Sequence, residues 1–287
     1  MKIKTFGFRG LVTPLFALEN ELIKLGHEIV DENTEADLCL NLMLDQEYEK
    51  TFQYKLKYPK CKLVLNLLNY PTDNPNYTSR LPDILSHADL ITTVSEFTTR
   101  DIKKNTGFDS KVLYYPMKNI TNLSLEKDMP FFYVGRLYSE QKRFWIIPKI
   151  FEYLKLPSNY FFVSGPEHTP FGNNLGFLEE KDLNVMYNRA KFILCPCSYE
   201  GSMMLIEGVV AGCFPVCCND NNWLEEFGLL PFAADPNPGA IGDKIAEILN
   251  NQDKYNKILD ELRLTYTEKM AVSNVAKRLV DFYCELI

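Results

Sequence analysis

Short apolar runs rich in β-branched and aromatic residues alternate along this chain with stretches of helical period, and no other feature limits the fold as much. The opening is representative. Lys2 to Phe8 reads as a strand and Phe8 to Pro14 as a loop, with Pro14 suited to the first helical position. Leu15, Leu18, Leu22 and Leu25 recur at helical spacing, Gly26 closes the helix, and Glu28 to Val30 starts a second strand. Leu38 to Met43, Leu63 to Leu67, Leu90 to Val94 and Lys111 to Tyr115 continue the series of short strands. Alternation of this kind predicts parallel sheets with helices on both faces.

Between Tyr115 and Pro130 the chain turns polar and loses its period, which marks the expected domain boundary. A second series follows, with strands at 131–134, 160–163, 191–195 and 214–217 and helices at about 144–154, 180–189 and 203–211. Asp235 to Ala240 reads as a Pro-rich loop, with helices from there to the C-terminus. The α/β reading is therefore two tandem Rossmann-like, doubly wound domains, residues 1–125 and 126–287. Ligands in such sheets bind where the strands' carboxyl ends open at a topological switch point, so the cleft between the domains is the expected site.

Composition excludes several functions. Lys and Arg number 31 against 38 Asp and Glu, a net charge of -7 that gives no general affinity for nucleic acid and allows at most peripheral membrane contact. No run approaches the ~18 apolar residues of a membrane span. Gly7, Arg9 and Gly10 interrupt any signal-peptide core, and the expectation is a cytoplasmic protein. Five of the eight cysteines lie in the apolar segments LCPC and GCFPVCC, where they are expected as reduced thiols in buried strands. Neither Cys195-Pro-Cys197 nor Cys217-Cys218 has the two-residue gap of a zinc knuckle.

Two segments carry chemistry. In FFYVGRLYSEQKR a strand ends at Gly135 and delivers Arg136 and then Lys142 to the strand's carboxyl edge. A forked guanidinium and an ammonium there suit a diphosphate, although a solvated basic cluster opening a helix has the same spacing. In YEGSMMLIEGVVAG, Glu200 ends the loop after the strand FILCPC, and Glu207 lies one or two turns into the next helix. Free backbone N–H groups across Gly201, Ser202, Met203 and Met204 would form an anion site, and Glu207 could accept the vicinal hydroxyls of a ribose. The alternative is an exposed pair of glutamates with Met203 and Met204 as core filler. Of the histidines, His27 and His87 are expected in structural roles; His168, at a strand's carboxyl edge, could approach the cleft, with a structural role as the favoured alternative. No Asp-x-Asp occurs in the chain and no His, Cys and carboxylate cluster has metal-ligand spacing, so no metal site and no cofactor are expected.

These two segments together resemble the retaining glycosyltransferases of family 4. GRLYSEQKRF is similar to that family's diphosphate motif, and LGFLEEKDLNVMYNRAKFILCPCSYEGSMMLIEGVVAGCFPVCC to its donor-binding core. ADLITTVSEFTTRDI resembles the segment closing the first domain, and FFVSGPE the strand and glycine turn before the nucleotide base. The resemblance implies the GT-B architecture and transfer of a sugar from a nucleotide-diphosphate sugar, UDP- or GDP-linked, to a hydroxyl of a glycan or glycolipid. It implies that Arg136 and Lys142 hold the diphosphate and steady the leaving group, that Glu207 takes the ribose hydroxyls, and that Glu200 lies beside the transferring sugar. Met203, Met204 and Leu205 would offer main-chain contacts, Phe177 and Leu178 would border the base, and Gly10 would let the first domain approach the phosphate. The chain departs from the family pattern in three ways. Six residues rather than seven separate Glu200 from Glu207, Asn69 stands where a histidine is often found, and the first domain is short. A sugar-nucleotide-binding protein without catalysis, and an epimerase of the same architecture, are the rival readings.

Overall fold

The computed structural model describes residues 1–6, 15–42, 44–67, 75–198 and 203–286. Expectations that rest on Gly10, Pro14, Asn69, Glu200, Gly201 and Ser202 lie outside these residues. In chain order the first series of elements is β1 (Lys2–Phe6), α1 (Leu15–Lys24), β2 (Glu28–Ile29), β3 (Leu38–Leu42), α2 (Leu44–Lys57), β4 (Lys62–Leu67), α3 (Pro75–Ser86), β5 (Leu90–Thr93), α4 (Glu96–Thr106) and β6 (Lys111–Val112). The second is β7 (Met129–Val134), α5 (Ile146–Leu154), β8 (Phe161–Ser164), β9 (Asn173–Asn174), α6 (Glu180–Arg189), β10 (Ala190–Cys195), α7 (Met203–Val210), β11 (Phe214–Cys218), β12 (Ala233–Ala234), α8 (Pro238–Asn250), α9 (Gln252–Met270) and α10 (Val272–Cys284).

The chain divides into two compact units, 1–116 with 269–287, and 117–268. In the first unit six parallel strands run in the order β2-β1-β3-β4-β5-β6. Every residue of β3 is buried, because alternate side chains enter two different cores. Phe6, Cys39, Leu63 and Leu65 pack on one face with Tyr54, Leu81 and Ile102. Ile3, Leu38, Leu40 and Val64 pack on the other with Leu15, Leu18 and Leu22 of α1. Leu25, expected on that face of α1, is 47% exposed. The helix stops at Lys24 in a Schellman closure, with His27 N–H bonded to Leu22 O at 3.0 Å and Gly26 N–H to Ile23 O at 2.9 Å, which turns Leu25 outward. Gly26 has φ +86°, where a side chain would be strained.

The sequence reading gave all of 126–287 to the second domain, and here the structure differs. Val272, Val275, Ala276, Leu279 and Phe282 of α10 are buried in the core that contains Ile3, Leu15 and Leu38. The last helix therefore completes the first unit, since its apolar face covers the sheet beside α1.

In the second unit six parallel strands run in the order β12-β11-β10-β7-β8-β9. Counted from β7 this is the 3-2-1-4-5-6 order of a dinucleotide-binding sheet, and its direction reverses between β7 and β10. The two-residue strands β9 (Asn-Asn) and β12 (Ala-Ala) close its edges; neither is long enough to show alternation in sequence. The expected loop 235–240 is shorter than foreseen. Asn237 caps α8 by accepting Ala240 N–H at 2.9 Å, and Pro238 takes the first helical position. Every cysteine is a free thiol, and Cys195, Cys197, Cys213, Cys217 and Cys218 are buried as expected. Burial pushes Cys213 and Cys218 up to about 12, so these thiols stay protonated and unreactive at neutral pH.

Candidate functional site

The crevice rule directs attention to the loops after β7, β8 and β10, which leave the second sheet at and beside its switch point. Gly135 N–H continues the ladder by donating to Ser164 O at 2.9 Å. Opposite it, a Cβ on Gly165 would lie 2.3 Å from Gly135 O, so glycine is what lets the two loops touch. The next peptide unit carries Arg136. Its carbonyl accepts from Tyr133 Oη at 2.7 Å, and the following amide, Leu137 N–H, donates to Glu167 Oε2 at 2.8 Å. Tyr138 Oη donates to His168 O at 2.6 Å. The loop after β7 is thereby pinned to the loop after β8, and the Arg136 side chain is exposed.

Lys142 closes a short 3-10 turn, Glu140–Lys142, and is half-buried. Ser198, in the chain that leaves β10, donates its N–H to Gln141 O at 2.8 Å, which brings this turn to the approach of α7. The neighbouring cation is engaged differently. Arg143, with φ 46°, makes a forked pair with Asp220 at 2.9 and 2.6 Å, tying the turn to the chain after β11. Asp220 holds the guanidinium in its charged form. Arg143 is thus held by Asp220, whereas the Arg136 side chain is exposed at this edge.

The helix α7 that starts across the switch point is buried almost all round, through Met204, Leu205, Ile206, Glu207, Gly208, Val209 and Val210. Met203, at its first position, is half-buried, and Val134 N–H donates to Met204 Sδ at 3.4 Å. Met204 therefore fills the space between α7 and the end of β7. Glu207 is 3% exposed and one of its oxygens accepts from Tyr187 Oη of α6 at 2.8 Å. Burial raises its carboxyl above the ordinary value; Lys118 and the Tyr187 hydroxyl oppose that shift and Glu180 adds to it.

Phe177 and Leu178 follow Gly176, whose carbonyl accepts from Gly165 N–H and from Ser164 Oγ, both at 3.0 Å. That places the pair against the loop after β8, Phe177 exposed and Leu178 half-buried. The structure so gathers Arg136, Lys142, Met203, Met204, Phe177 and Leu178 at one edge of the second sheet, with Leu205 and Glu207 buried in the helix behind. Gly10, Glu200 and Ser202 lie outside the described residues. His27, beside the Met1 amine at 3.4 Å, and His87, against the Phe52 ring at 4.7 Å, keep structural roles. Glu167, Tyr187 and Asp220 were not singled out from sequence. Glu167 and Asp220 follow strand ends, where the crevice rule could have marked them, whereas Tyr187 reads only as one more apolar position of α6. Among the described residues no group of three or more His, Cys, Asp or Glu side chains is arranged to hold a metal ion.

No protein-family model and no curated protein matches this sequence. Solved structures match over the whole chain. Anabaena HepE in complex with UDP and glucose has a TM-score of 0.76 at 10% identity, over 99% of this chain and 100% of that one. A glycosyltransferase from Rickettsia africae gives 0.74 at 13% identity, over 99% and 98%. Sucrose-phosphate synthase from Thermosynechococcus elongatus gives 0.72 at 11%, over 99% and 98%. The chain has the GT-B fold. At such identities the likeness is one of architecture, as expected from the sequence for two Rossmann-like units.

Proposed function

We propose that this protein is a retaining glycosyltransferase of the family 4 type, moving a sugar from a nucleotide-diphosphate sugar to a hydroxyl of a glycan or glycolipid. The observation that supports the reading is that Arg136 and Lys142 follow β7 on one loop at the switch point of a dinucleotide-order sheet, where Val134 N–H bonds to Met204 of α7 and Ser198 N–H to Gln141 O. As the glycosidic bond breaks, negative charge builds on the β-phosphate oxygen, and cations already aimed there bind the transition state more tightly than the ground state. In this reading Glu207 takes the ribose hydroxyls and Phe177 and Leu178 border the base. Glu200 lies beside the sugar, Ser202 to Leu205 contact sugar and phosphate, and Gly10 lets the first domain approach. No metal is required, because Arg136 and Lys142 neutralise the departing diphosphate. A UDP-linked donor is favoured by the UDP complexes of HepE among the fold neighbours. Retention of anomeric configuration rests on the family resemblance. A cytoplasmic setting accords with cysteines that are all free.

A thermal-shift panel of UDP-, GDP-, ADP- and dTDP-sugars tests the reading. One class of donor, at 100 times its dissociation constant, should stabilise the protein by ~2.7 kcal/mol. No shift with any donor at millimolar concentration would overturn the assignment.

A further inference from the structure

One peptide unit in the second domain is held at both of its polar ends. Between Arg136 and Leu137, the carbonyl oxygen accepts from Tyr133 Oη at 2.7 Å and the amide donates to Glu167 Oε2 at 2.8 Å. Tyr133 belongs to the strand that ends just before, so its bond is local. Glu167 comes from a different loop, after β8, and its carboxylate has the wrong charge for the place it occupies. A negative group beside a site for a diphosphate raises the energy of the bound anion. What it supplies in exchange is a charge-assisted bond to the amide, stronger and shorter than a neutral one. The peptide plane so fixed sets the direction in which the Arg136 side chain leaves the backbone.

The loop that presents Glu167 has little freedom of its own. Gly165 lies against Gly135 O so closely that no larger residue fits, Gly165 N–H is bonded to Gly176 O at 3.0 Å, and His168 O accepts from Tyr138 at 2.6 Å. The two loops are fastened before Glu167, at it and after it. We propose that Glu167 is a positioning residue of the diphosphate site, acting through the Leu137 amide to aim Arg136 without touching the ligand itself. This rests on the reading of Arg136 as a diphosphate ligand.

The test uses the full chain and inorganic pyrophosphate and UDP as probes, with affinities from calorimetry and folding checked by circular dichroism. Glu167→Ala should weaken both probes about tenfold in the wild-type background and by less than twofold in Arg136→Ala, since the residue acts through that side chain. Glu167→Gln keeps an acceptor for the amide and removes the repulsive charge, so it should bind both probes as tightly as wild type or more tightly. If alanine and glutamine both tighten binding, Glu167 is only a nearby charge and the proposal fails. It fails equally if the alanine variant costs as much with Arg136 absent as with it present. If Arg136→Ala alone leaves both affinities unchanged, the diphosphate site is elsewhere and the functional reading falls first, with the role of Glu167 after it.

Discussion

Glu207 presents a conflict between stability and use. Its carboxyl is buried and its pKa raised from the ordinary 4.5, chiefly by desolvation. The folded protein therefore holds that proton more tightly than the unfolded chain does. The associated stability is fully present below pH 4.5 and is lost as the pH rises through the higher folded value. Glu207→Gln, which still accepts from Tyr187, should raise the unfolding midpoint at pH 7.5 and leave it nearly unchanged at pH 4. Equal shifts at both pH values would remove ionisation from the explanation. The same variant should weaken UDP in calorimetry if the carboxylate meets the ribose. Arg136 makes the opposite case, because its side chain is exposed at the edge of the sheet. Arg136→Ala and Lys142→Ala should each lower kcat by ~100 to 1,000-fold with a smaller change in donor KM. Arg136→Lys should not rescue, since the forked donor geometry is lost. Wild-type rates in both alanine variants would move the diphosphate elsewhere.

At the scale of single elements, α7 shows what a run of eight residues can demand of its neighbours. A Cβ on Gly208 would sit 2.4 Å from Ile193 Cγ1 on β10, so the helix lies as close to the sheet as glycine permits. Gly208→Ala should destabilise the protein by ~1 to 3 kcal/mol in urea unfolding, despite the better helix propensity of alanine. A stabilised variant would show that Ile193 can yield. Elements such as β3, β4, β7 and β10 were legible because parallel strands buried on both faces write continuous apolar runs. The cap of α4 was not read from the sequence: Ser95, inside the segment TTVSEFTT, accepts Thr98 N–H at 3.0 Å. What could not be read is pairing at a distance. Arg136, Lys142 and Arg143 are equivalent as letters, and only the fold brings Asp220 to the last of them. Tyr187 reaches Glu207 from another helix, and no periodicity in α6 sets it apart from Leu183, buried on the same helix. The two-residue strands β9 and β12 escaped notice because two residues carry no pattern.

For the molecule as a whole, the least foreseeable fact is where the chain goes last. An amphipathic helix states that it needs a partner without stating which sheet supplies it, and α10 supplies a side to the first one. Leu279 is fully buried there, and Leu279→Ala should cost ~2 to 5 kcal/mol. Hydrogen exchange gives the sharper measurement: protection should fall in β1 and β3 and persist in β7 and β10. The reverse pattern would return the helix to the second domain. The same return has a temporal meaning. Domains emerging from a ribosome tend to fold in the order in which they are made, but a core that joins Ile3 and Leu15 to Val275 and Leu279 has members from opposite ends of translation. The first sheet must wait with one face only partly covered, by α1, while the whole of 117–268 is synthesised. The domain begun first is the one finished last, and a nascent chain of this protein carries an exposed apolar surface for most of its making.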